Sequence, residues 1–555
     1  MKSVLTTIAC ILFSSFFIHA QINLSADEWR EDLRFLQKTI HQEYSFLFKK
    51  TTPEAFDAAV ETLHKQIPEL ASHEIIVGFA RLVSSFQYGH TNIWLSAWNP
   101  QNPYGFHQMP YQLYYFKDGW YVQGVHQTFK EAIGAKVLKI EGVPIEDVVR
   151  AIRTVAPTEN DQYLKAYGSH LLGIPEVLHA QGITSELKSS ITLSLEKEGK
   201  AFDLQFEPTE IKDYPLHYGF VQEKEEWLDA RKNSSTPLWL KNLDRIYYYE
   251  YLPEQKAVYV RHSQIQDDPS KNIPDFYKEV FEFVEQNEVE KFILDVRLNG
   301  GGNNYKNKAI VKGIIETKKI NQAGKLFVVL GRRTFSACQN LVNELDNYTE
   351  AIFVGEPTGE NINFYGDNRP LVLPNSQITP RLSYAWWQDK PQWENDQWLA
   401  PQLAVELSFE DYQNNTDPVL EAIWEYNDDS ALVDPMQYMT DLFMSGQVAK
   451  IKPEAFRLKN DPRYRYYPFE NRLNQAGSRL LGNRDFQSAI FVLGLNTELF
   501  PESANAYDSL AEAYWKAGQT DAAIPLYEKA IALDPKGDIG RHAKEMLAQI
   551  QEEKH

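Results

Sequence analysis

Cysteine is almost missing from these 555 residues: Cys10 and Cys338 are the only two. Two thiols are too few for a disulfide framework or a thiolate metal site. Basic charge is also short, with 56 Lys and Arg against 76 Asp and Glu and a formal charge of −20. With no long basic block, the composition argues against a nucleic-acid partner, because neutralising phosphates takes clustered cations. There is no HExxH and no carboxylate–histidine cluster at ligand spacing, so neither a metal nor another cofactor is expected. What remains is ordinary for a globular chain: 43% apolar and 24% charged residues. The length suits about three to four domains at roughly 100–200 residues each.

Lys2, the apolar run from Val4 to Ile18 and the small residue Ala20 form a secretory signal pattern over residues 1–20. The run is too short to span a bilayer comfortably. An exported protein, periplasmic or secreted, is therefore expected, with no transmembrane segment once the signal is removed. Residues 21–105 read as helices. Ser25 caps the first, the second follows Thr52-Pro53-Glu54, and the third runs from Ile75 to an end at Tyr88-Gly89-His90-Thr91. Over 106–215 the period changes to two, with a Lys-Asp-Gly turn at 117–119. There Ala132 to Pro144 resembles the carboxylate-loop side of a PDZ domain, and reads equally as a plain strand-turn-strand. Residues 245–426 alternate strand and helix, which implies an α/β layer with parallel strands. A linker over 427–470 follows.

From 471 to 535, within a repeat region of 471–550, the chain repeats itself with a period of 34: Leu473 matches Tyr507, Ala489 matches Ala523, Leu493 matches Tyr527, and Pro501 matches Pro535. This resembles the tetratricopeptide repeat. Two copies are fewer than the three or so an independent solenoid needs, so the pair should pack on a linker helix or on the preceding domain. It serves either as a stabilising appendage or as a docking surface for a protein partner.

Three loops in the α/β segment carry candidate chemistry. In Asp295-Val296-Arg297-Leu298-Asn299-Gly300-Gly301-Gly302-Asn303, consecutive glycines after a buried strand leave backbone N–H groups unobstructed, as an oxyanion hole requires. The Gly-Lys-Ser/Thr ending of a phosphate-binding loop is missing. In Thr334-Phe335-Ser336-Ala337-Cys338, a serine stands between a strand and a helix. Alone it would be read as an N-cap, yet the Ala337 N–H and the helix dipole suit a developing oxyanion. The third loop runs from Val354-Gly355-Glu356-Pro357-Thr358-Gly359-Glu360 to Asn363. Cys338 reads as a small buried hydrophobe.

Taken in order, these loops resemble the serine peptidases of the tail-specific (C-terminal processing) and tricorn-core family. The resemblance spans roughly residues 70–425. It implies an α/β multidomain protein: a ClpP/crotonase-like catalytic core, a helical N-terminal region, a PDZ-like β-rich insertion and the α-helical tetratricopeptide pair. It also implies peptide-bond hydrolysis through an acyl-enzyme on Ser336, with oxyanion donors at Ala337 and at Gly300 or Gly301, and a peptide or unfolded protein as substrate. Asp295 and Arg297 would brace the glycine loop. Tail-specific members place a base lysine in the third loop, and this one contains none. The tricorn-like half instead implies a histidine base, matched by His90, and a supporting glutamate, matched by Glu394 with Asp396 as the alternative. Trp386, Trp387, Trp393 and Trp398 either line subsites or form a local apolar cluster. The missing lysine leaves open a second class, a non-catalytic peptide- or ligand-binding protein on the same fold.

Overall fold

The computed structural model describes residues 22–95, 104–209, 214–232, 235–393, 396–427 and 434–553. The expected signal segment and Glu394 lie outside these residues. The chain forms two compact units, one of 1–235, 363–388 and 408–416, the other of 236–362, 389–407 and 417–555. The stretch expected as one catalytic segment over 245–426 is thus interrupted, because two of its pieces find their partners in the first unit. Phe364–Pro370 pairs antiparallel with Arg381–Trp387. Arg381 in turn exchanges backbone hydrogen bonds with Asn92 at 2.8 and 2.9 Å. The buried Asp32 carboxylate accepts the N–H groups of Asn375 and Ser376, both at 2.8 Å.

In the first unit the helices Ala26–Glu43 and Pro53–Gln66 start where the caps predict: Ser25 closes a capping box with Glu28, and Thr52 accepts from Ala55. Trp29, Leu33, Leu36 and Ile40 form the buried stripe of the first. The third helix, Ser72–Ser84, stops well short of the expected end at 88–91. Two serines draw the chain off the helical path: Ser84 Oγ donates to Val155 O at 2.9 Å and Ser85 Oγ to Leu82 O at 2.7 Å. Gln87 then takes φ +54°, which no continuing helix accommodates. An antiparallel sheet follows in the order Tyr111–Phe116, Gly119–His126, Lys136–Ile140, Ile191–Lys197, Lys200–Phe206. Val143–Pro144 and Trp227–Asp229 pair beside it.

The second unit is built on a sheet whose order follows the chain: Tyr247–Leu252, Ala257–His262, Lys291–Asp295, Leu326–Leu330, Ile352–Gly355, Leu403–Ala404. All pairs after the first are parallel. Sequential order with right-handed crossovers puts the connecting helices on one face. Alternation along the strands agrees. Val258, Val260, Leu294, Val328 and Phe353 meet the helices Ile273–Gln286, Asn307–Glu316 and Ala337–Tyr348. Tyr259, Ile293, Phe327 and Val354 face the other way, onto Val419, Leu420 and Ile423 of the helix Pro418–Glu425. Both faces being covered explains why these strands are continuous apolar runs.

The repeats are the helix pairs Phe469–Gly482 with Phe486–Leu499 and Ala504–Lys516 with Thr520–Leu533. At the first crossing Gly477 is required: a Cβ there would sit 2.4 Å from Leu493 Cγ. The linker supplies two helices, Pro435–Met444 and Val448–Asn460, whose Met439, Leu442, Ile451 and Leu458 bury against Leu473, Leu495 and Leu499. Ala543 and Ile550 of a final helix, Asp538–Glu553, cover the second repeat. Flanking helices therefore replace the repeats that the pair lacks. Among the described residues no helix is long and apolar enough to cross a membrane.

Candidate active site

The glycine loop is set by a buried ionic brace. Where the strand Lys291–Asp295 ends, Asp295 accepts from Tyr259 Oη at 2.7 Å and pairs with Arg297 at 2.8 Å. Arg297 reaches on to Asp417 with two hydrogen bonds of 3.1 and 3.0 Å. These two carboxylates hold its guanidinium pKa above the ordinary value despite burial. Asn299 shapes the next turn, donating to His262 O and accepting the Gly301 N–H, each at 2.9 Å. That bond corrects one expectation: the Gly301 N–H is consumed by Asn299. Gly300 is exposed, and its N–H has no partner among the described residues, so it is the loop's available donor. Gly301 serves by its size. Its φ is +95°, and a Cβ would lie 2.5 Å from Ser336 Cβ and 2.9 Å from Ala337 N.

Ser336 follows the strand Leu326–Leu330 and stands at the N-cap of Ala337–Tyr348, yet its side chain makes no capping hydrogen bond. Its backbone sits at φ +57°, ψ −129°. For a residue with a side chain this conformation costs about 1–3 kcal/mol and persists only where the surroundings enforce it. Three bonds do so. Phe335 N donates to Asn299 O at 3.1 Å, Thr334 Oγ1 to Val296 O at 3.0 Å, and the Ser336 N–H to the carboxylate of Glu360. Opposite, Gly359 N donates to Thr334 O at 3.1 Å, and Arg332 grips Glu356 through bonds of 2.7 and 2.6 Å. The three loops singled out in the sequence are thereby stitched into one site. Ala337 N–H, at the first helical position, lacks an intrahelical acceptor by its place in the helix.

Glu360 is the site residue that sequence reasoning missed. It is fully buried, and its carboxylate fixes the serine's own N–H. An acid aimed at a backbone amide leaves no periodic or motif signal in the sequence. Cys338 matches expectation: it is free and buried, and burial pushes its thiol pKa well up.

His90 lies in the first unit, in the turn after Ser72–Ser84, where its ring stacks on Phe364 with centroids 6.2 Å apart. The turn is fixed by the buried Glu159, which accepts the Gly89 N–H at 2.7 Å, and by Thr91 Oγ1 bonded to Ser383 Oγ at 2.8 Å. Burial lowers the His90 pKa to about 4, so its imidazole is neutral near pH 7. In the unit that contains Ser336, the described histidines are His262 and His542. His262 Nε2 meets Gln264 O at 2.7 Å and must carry the proton, leaving Nδ1 to accept from Tyr277 Oη at 2.8 Å. His542 pairs with Asp508 at 3.0 Å in the repeats.

Asp396, the alternative acid, is engaged elsewhere. Arg472 from the first repeat helix pairs with it at 2.8 Å and lies 3.4 Å from the ring centre of Trp393. Trp398 donates to Tyr466 O at 3.4 Å. Trp386, on the strand Arg381–Trp387 of the first unit, packs against Tyr365 at 4.8 Å. Trp393 and Trp398 tie the first repeat helix and the segment before it to the α/β core, while Trp386 and Trp387 belong to the hairpin of the first unit.

A tetratricopeptide-repeat family model matches residues 504–536, the second of the two repeats. No curated protein sequence matches the chain. Among solved structures the chain is similar to a crystal structure of a CPAF mutant, with 11% identity, 74% of this chain and 99% of that chain covered, and a TM-score of 0.50. It is also similar to the photosystem II D1 C-terminal processing protease, with 13% identity, 72% and 96% covered, and a TM-score of 0.33. For tricorn protease the values are 13% identity, 72% and 36% covered, and 0.35. At 11% identity the likeness to the CPAF mutant speaks for the fold alone.

Proposed function

We propose that this chain is an exported serine peptidase. In this reading Ser336 attacks a peptide carbonyl and forms an acyl-enzyme, while Ala337 N–H and Gly300 N–H receive the oxyanion. The fold is a ClpP/crotonase-like core with a PDZ-like insertion. One observation carries the reading: Ser336 is held at a strained, non-capping turn, with the Ala337 N–H next to it and the glycine loop packed against it. A serine kept for capping would sit in extended backbone and bond its own helix. A strained strand-to-helix turn is how a nucleophile is presented.

A serine hydroxyl needs a base. His90 is assigned that role on the family likeness, and the third loop offers no lysine in its place. As Oγ bonds to the carbonyl carbon, its proton passes to the neutral imidazole. The same proton then goes to the leaving amine as the C–N bond breaks. Water repeats the sequence on the ester and releases the acid. Glu394 is assigned to stabilise the imidazolium, which a site that depresses the His90 pKa would otherwise disfavour. Export rests on the N-terminal pattern, and a peptide or unfolded protein substrate rests on the family likeness.

A serine-reactive fluorophosphonate probe tests the assignment. The wild type should label and Ser336→Ala should not, and His90→Ala should slow labelling by at least about 10²-fold. Folded wild type that fails to label at neutral pH would leave a binding protein on a peptidase fold.

A further inference from the structure

Far from the serine in sequence, the first unit brings together side chains that the reading above does not use. His73 and Glu74 open the helix Ser72–Ser84, and His179 lies on the short helix Pro175–Ala180. One ligand atom from each lies within 4.8 Å of the others. His73 Nε2 and His179 Nδ1 are 2.8 Å apart. Glu74 spends one carboxylate oxygen on the Ala71 N–H, at 2.9 Å, and keeps the other. From this donor set we infer a binding site for a divalent transition-metal ion of the zinc type, with His73, Glu74 and His179 as ligands and a fourth position open.

The surroundings suit a cation. His73 is only 6% exposed, which withdraws its Nε2 from water. A carboxylate also stands beside each imidazole in the chain, Glu74 next to His73 and Glu176 three residues before His179 on the same helix. Glu176 is buried and holds His107 through Nδ1 at 2.5 Å and through its N–H at 3.1 Å. Two imidazoles with a carboxylate suit zinc, whereas calcium and magnesium prefer oxygen alone. At metal–ligand bonds of about 2.0–2.1 Å, tetrahedral ligand atoms stand about 3.3 Å apart. To admit the ion the imidazoles separate by roughly half an ångström, and the Glu74 oxygen, within 4.8 Å of both, closes in.

The ion would staple the start of Ser72–Ser84 to residue 179. That helix has 13 residues, about 20 Å at 1.5 Å per residue, and the turn bearing His90 follows its far end. The inference is independent of the peptidase reading, since no ligand is a proposed site residue.

The full chain, stripped with chelator and back-titrated with zinc by calorimetry, should bind one ion per chain and unfold at a higher temperature when loaded. His179→Ala and Glu74→Gln, both at half-buried positions, should weaken binding at least about tenfold and abolish or shrink the thermal shift. Circular dichroism of the stripped variants should match the stripped wild type, which separates ligand loss from misfolding. Cobalt in place of zinc should give the visible absorption of a four-coordinate nitrogen and oxygen site, and His73→Ala/His179→Ala should lose it. Absence of zinc binding, or equal binding by the double variant, overturns the site. Preferential binding of copper or nickel that zinc does not displace overturns the zinc assignment.

Discussion

Replacing Gly301 by alanine tests the site at its tightest contact. A Cβ at this position would stand 2.5 Å from Ser336 Cβ, 2.7 Å from Phe335 O and 2.9 Å from Ala337 N. Carbon atoms rest at about 3.5–4.0 Å, so the serine and the new methyl must part by roughly 1 Å. Backbone atoms of Phe335 and Ala337 cannot yield as a flexible side-chain end would. Alanine at φ +95° adds about 1–2 kcal/mol of left-handed strain, and overpacking adds about 1–3 kcal/mol. The variant should therefore unfold at lower denaturant and still fold. Function should suffer more than stability. Displacing the nucleophile by about 1 Å costs on the order of 10²-fold, and losing one oxyanion donor costs about 10²–10³-fold. The assay is the second-order rate of fluorophosphonate labelling, measured beside the urea midpoint. Gly302→Ala is the control, because its Cβ would strike Ile265 O at 2.3 Å and φ there is +147°. It strains the same loop without touching Ser336, so it should lower the midpoint with a much smaller loss of labelling. Wild-type labelling by Gly301→Ala, or equal losses in both variants, would refute the argument that Gly301 is kept small for the serine.

Three further outcomes follow from the geometry. Glu360→Gln can still accept the Ser336 N–H but without charge, and should cost about 1 kcal/mol; Glu360→Ala leaves a strained N–H unpaired and should cost about 1–3 kcal/mol. The labelling rate should fall in the same order, and normal labelling by Glu360→Ala would show that the turn is held by something else. Arg472→Ala strands the buried Asp396 and bares Trp393, a loss of about 3–5 kcal/mol for a buried pair. Limited proteolysis should then release the 435–553 helices from the core, and an unchanged digestion pattern would count against this docking. Finally, burial holds His90, His170 and His262 at pKa values of about 4, below the ordinary 6.5. The unfolded chain binds these protons first, so their contribution is fully present above pH 6.5 and is lost as pH falls through 4. The urea midpoint should drop across that window, and a flat profile between pH 7 and 4 would contradict the burial.

How much of this was legible differs from residue to residue. The helix starts at Ser25 and Thr52 were readable because capping is local chemistry. The parallel strands were readable because burial on both faces writes an apolar run. The end of Ser72–Ser84 was not, since the Ser84 hydroxyl at that end bonds Val155, 71 residues away. Nor was the assignment of 363–388 to the first unit, which rests on Asp32 and Asn92 as partners far up the chain. In the site, the glycine run and the serine at a strand–helix junction announced themselves. Glu360 did not, and Gly300 could not be told from Gly301 before Asn299 was seen to take one of the two N–H groups. The proximity of His73, Glu74 and His179 was also hidden: His73 and Glu74 are adjacent, but His179 is more than a hundred residues on.

The sequence by itself determined the order of elements, the 34-residue repeat and the three loops, because each is encoded in residues close together along the chain. Only the tertiary structure decided which backbone donors are free, that Ser336 is strained and does not cap, and that a buried acid holds its amide. Those properties depend on atoms from distant segments competing for the same hydrogen bonds and the same space, and a linear pattern carries no record of that competition.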